Sequence, residues 1–139
     1  MLSKKVKYAI KALLYLYQNK EHIPISAKKI SDAERIPYKF LETILNDLKL
    51  NKIIRSQRGP QGGYSFAKDP DEISIASIMR IIDGPIALTT CTSENFYEKC
   101  DTCLDEHTCQ IRKLFLKLRI EMIPILEKSI AKMASEELK

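Results

Sequence analysis

The sequence predicts a mostly α fold, a winged helix-turn-helix with a two-stranded wing followed by a long C-terminal helix. Three observations carry that expectation. Apolar residues recur at helical spacing through three successive segments of the first 50 residues. The period then shortens to alternation on either side of Arg58-Gly-Pro-Gln-Gly-Gly63, which is turn chemistry. Helical periodicity returns, and a long apolar stripe closes the chain.

The first helix spans residues 3–19, with Val6, Ile10, Leu13, Leu14 and Tyr17 on one face and Lys4, Lys7 and Lys11 on the other. After a turn around Glu21–Pro24, Ser26 is an N-cap for a short helix from Ala27 to about Ala33. Arg35-Ile36 connects to a third helix. Pro37 fits the first position of that helix, where its missing N–H removes no bond. The helix runs to about Leu50 and buries Leu41, Ile44, Leu45 and Leu48. Lys39, Glu42, Thr43 and Asn46 remain on its outer face. Strand-like segments at Lys52–Ser56 and Tyr64–Phe66 flank the glycine-rich turn and form a hairpin tipped by arginine. Ser74 caps a fourth helix, through about Asp83, with Ile75, Ile78, Met79 and Ile82 buried and Gly84-Pro85 as its stop. From Glu106 to about Ser135 a final helix aligns Ile111, Leu114, Phe115, Leu118, Met122, Ile125 and Leu126. Pro124 predicts a kink or a break there, because it lacks an N–H and clashes with the carbonyl of Ile120.

Three parts follow: residues 1–85, the winged helix; residues 86–105, a cysteine-rich loop; residues 106–139, the C-terminal helix. At 139 residues the chain is long enough to bury a core without staples. No apolar run approaches the roughly 20 residues of a membrane span, and Lys11 interrupts the apolar stretch after the basic N-terminus. With no secretory leader recognisable, the expected compartment is the cytoplasm.

Charge is divided unevenly. Residues 1–60 hold 13 Lys/Arg against 5 Asp/Glu, whereas residues 61–139 hold 10 against 13. A basic N-terminal half suits a polyanion, and nucleic acid is the commonest such partner. In a winged helix the third helix enters the major groove and the wing lies along backbone or minor groove. Arg55 and Arg58 on the wing suit that role. Protein-interaction modules share the architecture, so an adaptor remains the competing reading.

These residues resemble the IscR-type winged-helix regulators, a family that includes iron–sulfur cluster regulators, nitric-oxide-sensing repressors and cysteine-metabolism repressors. The resemblance covers nearly the whole chain. It rests on Lys5-Val-Lys-Tyr8-Ala9 with Ala12-Leu13, on Ile36 through Leu48 with Phe40-Leu41-Glu42, on Arg58-Gly59-Pro60-Gln61-Gly62-Gly63-Tyr64, and on Asp83-Gly84-Pro85. It implies a homodimeric transcription factor on double-stranded DNA with a near-palindromic operator, and it makes the last helix the dimerisation helix. It also implies roles on the DNA side. Glu42 matches the position that reads bases, where a carboxylate accepts from the N4 amino group of cytosine. Arg58 matches the wing arginine of the minor groove. Lys4, Lys5 and Tyr8 fall to the phosphates, and Lys28, Lys39, Thr43, Asn46, Arg55, Gly62 and Gly63 complete the expected interface.

The four cysteines, Cys91, Cys100, Cys103 and Cys109, lie within 19 residues. Clustered thiols in a reducing compartment bind metal or act as redox groups more often than they form structural disulfides. In cluster-binding relatives three cysteines hold a [2Fe–2S] cluster, the last two separated by five residues, and Cys103 and Cys109 match that pair. Cys91 and Cys100 compete for the third place. The fourth ligand of the family varies. Where relatives place a histidine after the last cysteine this chain has Ile111-Arg112, so His107 would have to serve from another position. Zinc on four cysteines, a metal-free thiol switch through Cys100-Asp-Thr-Cys103 or a small ligand are the alternatives. Catalysis is not expected. The Cys-x-x-Cys has no thioredoxin-like βαβ setting around it, and neither a phosphate-binding glycine loop nor a catalytic carboxylate pair is present.

Overall fold

A computed structural model describes residues 2–136. Its elements are α1 (Lys4–Gln18), α2 (Ala27–Glu34), α3 (Tyr38–Leu50), β1 (Ile54–Gln57), β2 (Gly63–Phe66), α4 (Ile75–Asp83), α5 (Gln110–Leu126) and α6 (Ile130–Ser135). Helix, helix, helix, hairpin is the winged helix-turn-helix order, with β1 and β2 pairing antiparallel.

Four of the helices begin at a capping serine. Ser3, Ser26, Ser74 and Ser129 accept the backbone N–H three residues on, at the starts of α1, α2, α4 and α6. Helix α4 stops at Gly84, whose φ of +87° a side chain would resist. The core gathers Leu13 and Leu16 of α1, Ile30 of α2, Leu41, Ile44, Leu45 and Leu48 of α3, Ile54 of β1 and Ile78 of α4. The wing is fastened to this core by backbone. Ile25 and Tyr64 exchange N–H···O bonds of 3.0 and 2.7 Å, so the segment before α2 acts as a short third strand beside β2.

Several expected boundaries shift, each for a local reason. Pro37 is the N-cap of α3 rather than its first residue, because its ψ of 127° is still extended. β1 starts at Ile54, since Lys52 sits at φ +60° and the Ile53 N–H turns back to the Leu48 carbonyl. Met79 and Ile82 are half-buried rather than buried.

The C-terminal helix departs most. It begins at Gln110, not Glu106, because residues 106–108 form a turn and Cys109 Sγ caps α5 by accepting from the Arg112 N–H at 3.4 Å. It is also two helices. Pro124 lies inside α5, and the chain breaks after Leu126, where Ser129 starts α6. The break follows from tertiary pairing. The Ile75 N–H donates to the Lys128 carbonyl at 3.0 Å, and the Ile130 N–H donates to the Ile73 carbonyl at 2.8 Å. Ile130 is thereby fully buried in the core of the winged helix. Residues 130–135 therefore pack with the N-terminal part of the chain, against α1.

Helix α5 contains no buried residue. Among the described residues it rests on α4 and the short turn Thr90–Thr92, and Arg119 pairs with Glu94. Ile111, Leu114, Leu118 and Ile125 are exposed along it, spaced as one seam.

Candidate nucleic-acid interface and cysteine cavity

The outer face of α3 carries Lys39, Glu42, Thr43 and Asn46, all exposed. Lys39 and Thr43 join Lys5 of α1 and Phe40 around a shallow hollow of about 360 Å³. In the sequence Phe40 stands only as part of a motif. It lies at the edge of the buried face of α3, and 60% of it is exposed. A large aromatic left in water beside two lysines is the signal that could have marked it. Tyr38 is exposed as well, and the Glu42 carboxylate beside it holds its hydroxyl above the usual tyrosine range.

Neighbouring groups already engage some of these side chains. Lys5 Nζ pairs with Asp47 Oδ2 at 2.9 Å, and the Thr43 hydroxyl donates to the Lys39 carbonyl at 3.2 Å. Both pairs are partly exposed or exposed, so water or a phosphate can replace them at small cost. Tyr8 is half-buried against the core, and Lys4 and Lys28 are exposed.

On the wing, Arg55 Nε donates to Ser65 Oγ of the facing strand at 3.3 Å. Arg58 stands exposed at the start of the tip. The Gly62 N–H closes the tip on the Gly59 carbonyl at 2.9 Å. Gly62 and Gly63 have a packing reason to be glycine. A Cβ on Gly62 would lie 2.2 Å from the Gln57 carbonyl oxygen, and one on Gly63 2.4 Å from the Ile25 carbonyl carbon. Close backbone approach explains both residues without any contact to a ligand.

All four cysteines line one cavity of about 490 Å³ between residues 89–103 and the first turn of α5. None is in a disulfide. Cys91 Sγ lies 3.4 Å from Thr89 Oγ1. Cys100 is exposed, and its contact with Thr102 Oγ1 at 3.2 Å holds its thiol below the ordinary value. Burial, with the charge of neighbouring Cys109 added, pushes Cys103 the other way. Among the described residues no three His, Cys, Asp or Glu side chains converge into a coordination sphere. The donor chemistry nevertheless fits a soft metal or an iron–sulfur cluster: four thiols on one cavity, each able to give a thiolate. His107 does not line the cavity; its backbone N–H donates to Asp105 Oδ1 at 3.0 Å. Arg112 does line it. Beside the cavity the Tyr97 hydroxyl donates to Glu106 Oε1, which raises the phenol above its usual range.

A family model described as "Rrf2: Iron-dependent Transcriptional regulator" matches residues 2–136. The chain belongs to the Rrf2 family of transcriptional regulators. An rrf2-like HTH-type regulator of Rhodobacter capsulatus is 42% identical over 121 residues, covering 85% of this chain and 81% of that protein. The HTH-type transcriptional regulator IscR of Cronobacter sakazakii is 31% identical over 103 residues; the match spans 74% of this chain and 64% of the IscR length. Among solved structures, CymR, the global cysteine regulator of B. subtilis, superposes with a TM-score of 0.80 at 24% identity, over 97% of this chain and 96% of CymR. The IscR of T. potens gives 0.72 at 23% identity, over 100% and 93%. At those identities the superpositions establish the winged-helix fold. As expected of a chain without catalytic motifs, its relatives are transcriptional regulators, not enzymes. No helix among the described residues is long and apolar enough to cross a membrane.

Proposed function

We propose that this Rrf2-family regulator is a cytoplasmic homodimer that binds a near-palindromic operator and senses iron–sulfur or redox status through its cysteine cavity. The observation that carries the proposal is the meeting of all four cysteines on one cavity at the start of α5, a helix with no buried residue. In this reading α3 lies in the major groove, with Glu42 reading a cytosine and Lys39, Thr43 and Asn46 beside it. Arg58 and Arg55 follow the minor groove and backbone, while Lys4, Lys5, Tyr8 and Lys28 hold phosphates. Gly62 and Gly63, whose close backbone neighbours support a role in shaping the wing, stay in the DNA-facing set.

Cys91, Cys103 and Cys109 are the residues that would hold a [2Fe–2S] cluster, with Cys100 as fourth or exchangeable ligand. When bound, such a group supplies one-electron redox chemistry and a lability that responds to iron and oxidants. The chain's own part is mechanical. Cys109 caps α5, and the segment carrying Cys91 touches α5 through the Thr90–Thr92 turn. Drawing those cysteines together moves α5 relative to α4, and with it the spacing of the two recognition helices in the dimer. His107 would ligate only after residues 105–108 rearrange.

A second reading has its own support. Cys100 is exposed, with a thiol lowered by Thr102, which suits direct oxidation of a thiolate in a metal-free switch. Anaerobic purification, an absorbance spectrum and iron, sulfide and zinc analysis separate these readings. Operator binding with and without the cofactor then tests the switch. A colourless, zinc-loaded protein, or equal operator affinities, overturns the iron–sulfur sensor.

A further inference from the structure

Among the described residues two side-chain nitrogens are buried without a hydrogen-bond partner, and both are guanidinium nitrogens of α5: Nε of Arg112 and Nε of Arg119. Arg119 has a counter-charge, since its Nη2 donates to Glu94 at 2.7 Å. Arg112 has no ion pair among the described residues. It faces the cavity that the four cysteines line. A buried N–H without an acceptor is destabilising, more so on a charged group. The orphaned Nε is itself sealed from solvent, so what Arg112 brings to the cavity it lines is its charge.

The other charges on that cavity are Glu98, Lys99 and Asp101. All three are exposed on its rim, where water and salt screen them. Arg112 is half-buried, so its charge acts through a lower effective dielectric. Its backbone adds to this field. Cys109 caps α5, the Arg112 N–H donates to Cys109 Sγ at 3.4 Å, and the positive end of a 17-residue helix therefore meets the thiols. An arginine stays protonated across the physiological range. It is thus a donor and counter-charge rather than a metal ligand.

We propose that Arg112 makes the cysteine cavity a receptor for sulfur anions, its guanidinium setting a fixed positive charge beside the thiolates that line it. It is a positioning residue: it acts on the bound group through the cysteines. The proposal rests on the reading that this cavity is the sensing site, and it names the chemistry that the site favours. In a cluster-bearing form the charge stabilises the reduced, more negative state and raises the reduction potential.

The first test uses metal-free, reduced full-length protein and the alkylating reagents iodoacetate and iodoacetamide, with the modified cysteines mapped by mass spectrometry. Both reagents react with the same thiolate, so the ratio of their rates removes the thiolate fraction and reports the local field on an anion. Arg112→Gln is expected to lower the iodoacetate-to-iodoacetamide ratio at Cys91, Cys103 and Cys109 by about tenfold, the low end of what a charged cleft does for an entering ion. Arg112→Lys should recover most of the ratio, and Lys113→Gln, at an exposed neighbour outside the cavity, should leave it unchanged. An unchanged ratio in Arg112→Gln, or an equal fall in Lys113→Gln, overturns the proposal. The second test compares reduction potentials after iron–sulfur reconstitution, where Arg112→Gln should move to a more negative value and Arg112→Lys should not. A protein that takes up no iron ends the cluster reading of the cavity, while the alkylation ratio still decides the role of Arg112.

Discussion

Glu42 is where base discrimination is most open to test. It is an exposed carboxylate on the face of α3 that carries Lys39 and Thr43, and phosphate repels it, so its favourable contact is a base donor. Glu42→Ala should keep the fold and relax discrimination at one base pair per half-site by about 1–3 kcal/mol. Operators selected in vitro by wild-type and variant protein would show this as one position losing its preference. The wing glycines lead to a different expectation. Gly63→Ala places a Cβ against the Ile25 carbonyl at a φ of +155°, which should cost about 1–3 kcal/mol in thermal or denaturant unfolding. The outward set on α3 was legible because the buried set Leu41, Ile44, Leu45 and Leu48 fixes the phase of the helix. The reason for Gly63 was not, because the backbone it meets lies about 38 residues away in sequence and is brought there only by the Ile25–Tyr64 pairing.

At the level of elements, α5 and α6 invite opposite expectations. The exposed seam of α5 is the surface assigned to a second copy of the chain. Leu118→Glu would place two carboxylates in that seam and should weaken self-association by about 2 kcal/mol or more, read by sedimentation, with circular dichroism unchanged because the monomer does not bury this residue. Ile130, by contrast, is fully buried in the winged-helix core. Ile130→Ala should lower unfolding stability by about 2–5 kcal/mol, a loss that a purely dimerising helix would not show in the monomer. Pro124 made a break in the last helix legible, but its place was not. The break occurs where Lys128 and Ile130 pair with Ile75 and Ile73, a tertiary bond pattern with no local signature. The start of α5 at Gln110 escaped notice for a related reason: Cys109 acts as a cap through sulfur, and sulfur is absent from the usual capping residues.

Over the whole molecule the cysteine cavity reaches the basic half by two routes, the segment after α4 and α5 itself, whose end is fastened to the winged-helix core through Lys128 and Ile130. Between Asp83, the last residue of α4, and Gln110, the first of α5, the chain has only the short turn at Thr90–Thr92 as regular structure, and α5 rests lightly on α4. An input at the cavity and an output at the operator can therefore communicate through the tilt of α5 about its anchored end. Any such coupling is reciprocal. If the cavity's bound group changes operator affinity by some factor, operator DNA must change the affinity of that group by the same factor. A tenfold effect on DNA binding, about 1.4 kcal/mol, should reappear as a tenfold shift in the chelator concentration that removes iron from the operator complex compared with free protein. Random-sequence DNA of equal length and salt should shift it less, because phosphate contacts alone do not fix the spacing of the recognition helices. Equal chelator sensitivity with and without operator would mean that the bound group does not alter operator affinity, which removes the switch; a change in oligomeric state would obey the same cycle. Sedimentation of the apo and holo forms at the working concentration then decides between tilt and assembly, since only the second makes the coupling depend on protein concentration.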